Sequence, residues 1–135
     1  MKKSVIVLTV ICVLLVFSAC SVGKISSEKL RDLEFTVVKE EDIPEELKGI
    51  IEEKKEQVFK VTFADQGMLY IAEGYGVQNT SGYSIEVVDC FETENAIYFR
   101  SNLIGPSESE KVAEEKTYPY VVVKLELIDK HIVFQ

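Results

Sequence analysis

The residues able to do chemistry are few and far apart. His131 is the single histidine among 135 residues, so a general base or a Ser–His pair would have to use it. It opens the apolar run His131-Ile132-Val133-Phe134, with no acid or nucleophile suggested beside it. An edge strand explains it better than catalysis. Cys12, Cys20 and Cys90 make no Cys-x-x-Cys pair and no disulfide framework. No catalytic residue, no metal site and no cofactor is therefore expected. Cys90 reads as a small packed hydrophobe, with dimerisation through its thiol the lesser reading. The 23 acidic residues contain no pair that stands out for acid–base work on a glycoside. Gly74-Tyr75-Gly76 has no helix behind it to aim amides at a phosphate, so its glycines read as a bulge or bend at a strand end.

The most distinctive stretch is Gly74 to Tyr83, GYGVQNTSGY. Gln78, Asn79, Thr80 and Ser81 bring amides and hydroxyls to a loop framed by Gly76 and Gly82. Tyr75 and Tyr83 bracket it with flat rings. Tyrosine among small polar residues gives contact area at low entropic cost, a composition favoured in binding loops. Together with Pro119 and Tyr120 these are the candidate protein-binding residues. The competing reading is a wide turn whose rings merely close the core. A formal net charge of −8 disfavours nucleic acid as a partner.

A second chemical signal stands at the N-terminus. Met1-Lys2-Lys3 is basic, and Ser4 to Gly23 carries no charge. The strongly apolar core, Val5 to Phe17, is shorter than the about 20 residues a spanning helix needs. Ser18-Ala19 then precedes Cys20. This arrangement resembles a bacterial lipoprotein signal, with Phe17 where that family usually has an aliphatic residue. The resemblance implies that Cys20 is acylated, a palmitate-type modification. Residues 1–19 would be removed and the domain held at the cell membrane, facing away from the cytoplasm. An uncleaved anchor would leave it on the same side. Removing Lys2 and Lys3 leaves 13 basic against 23 acidic side chains, a formal −10. Lipid rather than surface charge must then hold the protein, and two acyl chains suffice. Ser21 to Arg31 reads as a tether reaching at most about 35 Å.

Ordered structure is expected from near Leu33. Glu34–Val38 reads as a first strand. Ile43, Leu47, Ile50 and Ile51 make one apolar stripe behind Pro44, and predict a helix over 44–56. From Phe59 the period changes to two, and Asp65-Gln66-Gly67 turns the chain into Met68–Glu73. Gly82–Phe91 and Ala96–Ser101 form the next pair. Gly105–Lys116 is an exposed loop, Tyr118–Leu127 the longest strand and His131–Phe134 the last. The absence of a βαβ rhythm predicts an α+β fold, a mostly antiparallel sheet or sandwich of about seven short strands with one packed helix.

GYGVQNTSGYSIEV, NLIGPS and TYPYVVVKLE together resemble the C-terminal domain of the PrcB family, over about Phe35 to Gln135. Family members commonly carry a Thr-Gly-Gly-Tyr type turn; here it is Thr80-Ser81-Gly82-Tyr83. The division this implies is 1–19 signal, 20–32 lipidated cysteine and tether, 33–135 domain. The resemblance further implies a non-catalytic accessory subunit whose partner is a protein, an extracytoplasmic protease. A weaker likeness is to the Asn-Pro-Thr-Thr-Gly-Tyr loop of chagasin-type cysteine-protease inhibitors, which keeps inhibition open as an alternative. A small-ligand or envelope-glycan binder is the third reading.

Overall fold

The turn Gln66-Gly67 shows how local chemistry sets the register of a whole sheet. Both residues have positive φ, 48° and 76°. That pair of angles belongs to the two-residue turn whose twist matches that of its flanking strands. It locks Val58–Asp65 onto Met68–Tyr75 from Asp65 opposite Met68 to Val58 opposite Tyr75. The structure, a computed structural model, describes residues 28–135. The signal segment, Cys12, Cys20 and the first part of the tether lie outside the described residues.

Eight strands are described: β1 (Lys29–Asp32), β2 (Thr36–Val37), β3 (Val58–Asp65), β4 (Met68–Tyr75), β5 (Ser84–Thr93), β6 (Ala96–Ile104), β7 (Tyr120–Glu126) and β8 (His131–Phe134). They form two four-stranded sheets, ordered β1-β5-β6-β8 and β2-β7-β4-β3. One helix, α1 (Glu45–Lys54), covers the outer face of the second sheet. The α+β sandwich expected from the sequence is the fold observed.

Two apolar layers hold it together. Leu69, Ile71, Ile97, Phe99, Val121, Val123 and Leu125 fill the space between the sheets. Ile43, Leu47 and Ile51 of the helix segment press on Phe59, Tyr70, Ala72 and Val122. β4 and β7 send alternate residues to the two layers. This accounts for their nearly continuous burial, which a half-exposed strand would not show.

Several boundaries differ from expectation, each for a physical reason. Lys29–Asp32, expected in the tether, is an edge strand on β5. Its polar sequence has no period to reveal it; Arg31 is held instead by Glu92, 2.7 Å away. The predicted strand Glu34–Val38 shortens to Thr36–Val37 because Leu33 and Phe35 both pack on the inter-sheet core as the chain crosses between sheets. The helix is three residues shorter than 44–56: Pro44 caps it from outside, its carbonyl accepting the Lys48 N–H at 2.9 Å. In β5 a bulge between Val87 and Asp89 shifts the inward face from Ile85 and Val87 to Cys90. Thr93 closes the next hairpin by accepting the Ala96 N–H and donating to the Ala96 carbonyl, so β5 both begins and ends two residues later than expected, and β6 runs on to Ile104 at its other end. β7 ends at Glu126 and Leu127 is half-exposed, not on the buried face. β8 runs parallel to β6 because it arrives from the other sheet.

Two glycines generate opposite expectations. A Cβ on Gly74 would overlap the buried Phe59 ring, whereas one on Gly49 meets nothing within 4 Å. Gly74→Ala should lower stability by about 1–3 kcal/mol through overpacking. Gly49→Ala should raise it by up to about 1 kcal/mol through helix propensity. Urea unfolding midpoints with unchanged slopes check both.

Candidate functional site

The strand ends that carry the candidate residues all lie at one end of the sandwich. β4 finishes at Tyr75 and β5 begins at Ser84, so residues 76–83 join the two sheets there. β6 ends and β7 begins at the same place, joined by residues 105–119. The opposite end holds Gln66-Gly67, the Thr93–Ala96 turn and Lys130, whose Nζ donates to the Thr93 carbonyl at 2.8 Å.

Gly76 starts the first loop with φ 74°, in the region that favours glycine. Gln78 and Thr117 then exchange backbone hydrogen bonds of 2.8 and 2.9 Å. The Thr117 hydroxyl donates to the Thr80 carbonyl at 2.7 Å. The Ser81 N–H donates to the Ala113 carbonyl at 3.0 Å, and Ser81 Oγ accepts the Ala113 N–H at 2.8 Å. Gly82, at φ 92°, lies so close to Pro106 and Val112 that a Cβ would crowd both. Gln78, Thr80, Ser81 and Gly82 thus bind one loop to the other. Asn79 is exposed on the outside.

Tyr83, Pro119 and Tyr120 come together on a groove of about 400 Å³. Val37, Val38 and Ile85 supply much of its apolar wall, and Glu40 is the one charged side chain lining it. Tyr120 also packs against the helix layer. Its phenol pKa is raised, first by burial and then by the nearby Glu40 and Glu52 carboxylates, with Lys55 opposing. The neighbouring Tyr118 ring lies under Lys55 Nζ, 5.2 Å from its centroid.

Tyr75 is set apart from this group. It points between the sheets, where its hydroxyl meets Ser101 Oγ at 2.6 Å. Glu73 shares that pocket, 6% exposed, with Oε2 lacking a hydrogen-bond partner. Burial raises its pKa; Lys60 and hydrogen bonds with Ser101 and Tyr75 oppose the shift. At the opposite end the Glu92 carboxyl is held below its ordinary range by hydrogen bonds from Lys130 and Arg31. Cys90 is buried, and burial pushes its thiol up to about 11, so it packs as an unreactive thiol. His131 is exposed on edge strand β8.

Sequence reading missed Val37, Val38, Glu40 and Ile85 as groove residues, and Glu73 and Ser101 as a buried polar pair. Three separated segments build the groove, so no local motif marks it.

Residues 69–126 match the family model described as PrcB C-terminal. The likeness to this family covers 58 of the chain's 135 residues and supports assigning the segment to it. The match begins in β4, ends with β7 and contains both joining loops. It is shorter than the span from Phe35 suggested by sequence likeness. The family points to a domain associated with a protease complex. No curated protein and no solved structure matched the chain in the two other comparisons.

The buried carboxyl sets a pH expectation. The folded chain holds the Glu73 proton more tightly than the unfolded chain does. Its contribution is therefore full below the unfolded value near about 4.3 and declines as pH rises through the raised folded value. Glu73→Gln should abolish that decline. The difference between mutant and wild-type stability curves should move in the mutant's favour above about pH 4.3; a flat difference would assign the pH dependence elsewhere.

Proposed function

We propose that the protein is a lipid-anchored, extracytoplasmic, non-catalytic accessory subunit that binds a partner of a surface or secreted protease complex through the Tyr83–Pro119–Tyr120 groove. One observation carries this reading. The segment matched to the PrcB C-terminal family contains both loops that meet at the groove. The Tyr120 ring packs against the helix layer, which limits the entropy lost when a partner covers it.

The strand geometry is consistent with anchoring. Lys29 pairs with Thr93, at one end of β5, while the groove lies near Ser84 at the other. Nine residues of strand separate these ends, about 30 Å. A chain attached through Cys20 enters the domain at Lys29 after nine residues, a reach of at most about 30 Å. The groove then faces away from the attachment point, towards membrane-associated partners whose local concentration the anchor raises.

Two experiments test the parts separately. Metabolic labelling with an alkyne palmitate should label the wild type and not Cys20→Ala; equal labelling of both would remove Cys20 as the anchor. A photo-crosslinking residue at Asn79 should capture a protease-complex component in intact cells, and the same residue at Glu94 should not. Capture from Glu94 alone would place the interface at the wrong end.

A further inference from the structure

The groove has a second property, which concerns main chain rather than side chains. β5 is an inner strand of its sheet only in part. β1 covers it from Phe91 to Thr93, and the Leu33 N–H donates to the Cys90 carbonyl at 2.9 Å. Among the described residues, Ser84 to Asp89 pair only with β6. The edge facing β1 is therefore open over this half, and the bulge between Val87 and Asp89 interrupts its regular register. A run of four residues in regular register, Ser84 to Val87, has no partner strand among the described residues on the side away from β6.

The other sheet leaves the same side uncovered. β2 pairs with β7 at Thr36 and Val37, extended by the Val38 N–H donating to the Val122 carbonyl at 2.8 Å. The groove lies between these two incomplete edges. Its walls include Ile85 and Val121, both directed towards the inter-sheet core. The sandwich is thus unfinished along half of one side. On the opposite side Lys60 Nζ lies 5.7 Å from the Phe134 ring centroid, reaching from β3 towards β8. An inward-directed lysine is a known guard against edge pairing. The β5 edge carries no lysine: its charges are acidic, Glu86 on the strand and Glu40 lining the groove, so they repel acidic segments and admit basic ones.

We propose that the open edge of β5, Ser84 to Val87, takes an extended segment of the protein partner as an added strand in line with β1, its alternate apolar side chains entering the groove and a lysine or arginine meeting Glu40. Main-chain pairing supplies affinity in this mode, and pockets for every second side chain supply specificity. The apolar walls of the groove suit small branched side chains. The negative lining, in a chain of net charge −8, favours a basic segment over an acidic one. This inference rests on the protein-binding reading above and names the form in which the partner binds.

The test uses the full lipidated chain in nanodiscs, with an acetylated, amidated hexapeptide of alternating lysine and valine as probe. Amide hydrogen exchange should slow several-fold at Ser84–Val87. A glutamate–valine peptide, or the lysine–valine peptide with alternate N-methyl groups, should leave it unchanged. Glu40→Lys, an exposed substitution, should weaken the lysine–valine effect several-fold. No protection, or protection of β3 or β8 instead, overturns the proposal. Protection that grows with protein concentration and needs no probe makes a second copy the occupant and also overturns it. If Asn79 captures a protease component while the probe fails, strand addition is wrong and the protein-binding reading stands. If the probe succeeds and Asn79 captures nothing, the protease-complex role falls and strand addition keeps its support.

Discussion

The structure depends on a sheet that is buried on both faces. β4 and β7 pair along seven residues, from Met68 opposite Glu126 to Gly74 opposite Tyr120. One set of their side chains fills the inter-sheet layer and the other receives α1. A one-residue slip would exchange the two sets, sending Tyr70 into a space shaped for Ile71. Gly74 fits the neighbouring β3–β4 register, because Phe59, opposite it on β3, occupies the place a side chain would need. Everything at the groove end inherits its position from this pairing: Tyr120 begins β7, and Tyr75 ends β4.

The two joining loops then fix one another. Gln78, Thr80 and Ser81 satisfy groups on Ala113 and Thr117, so two irregular segments behave as one unit. Polar residues that suggested a free recognition loop are in large part internal mortar. What they free for contact are the rings and the proline behind them. The buried Glu73 beside Tyr75 and Ser101 is a cost carried at this end, with one carboxylate oxygen lacking a partner.

Sequence pattern showed much of this fold and less of the site. The alternation of Phe59, Val61 and Phe63, the Asp65-Gln66-Gly67 turn and the stripe from Ile43 to Ile51 are local, and local physics decides them. β1 was hidden because Lys29–Asp32 has no apolar period; its pairing depends on β5, some sixty residues away. The parallel placement of β8 was hidden for a like reason, since it follows from which sheet β7 belongs to. At the site, Tyr83, Pro119 and Tyr120 were recognisable by residue type and do share a groove. Tyr75 had the same type and spacing, but the alternation of β4 turns it inward to Ser101. The open β5 edge could not be read at all, because it is defined by where another strand stops.

The sandwich has two unlike ends, one where the chain enters at Lys29 and the other presenting an unfinished edge. Hydrogen exchange on the full chain, with and without the proposed protein partner, tests the function proposed for that edge most directly. Slowed exchange at 83–87 and 119–122, with the turns at 66–67 and 94–95 unchanged, is the result expected. Protection confined to those two turns would contradict it.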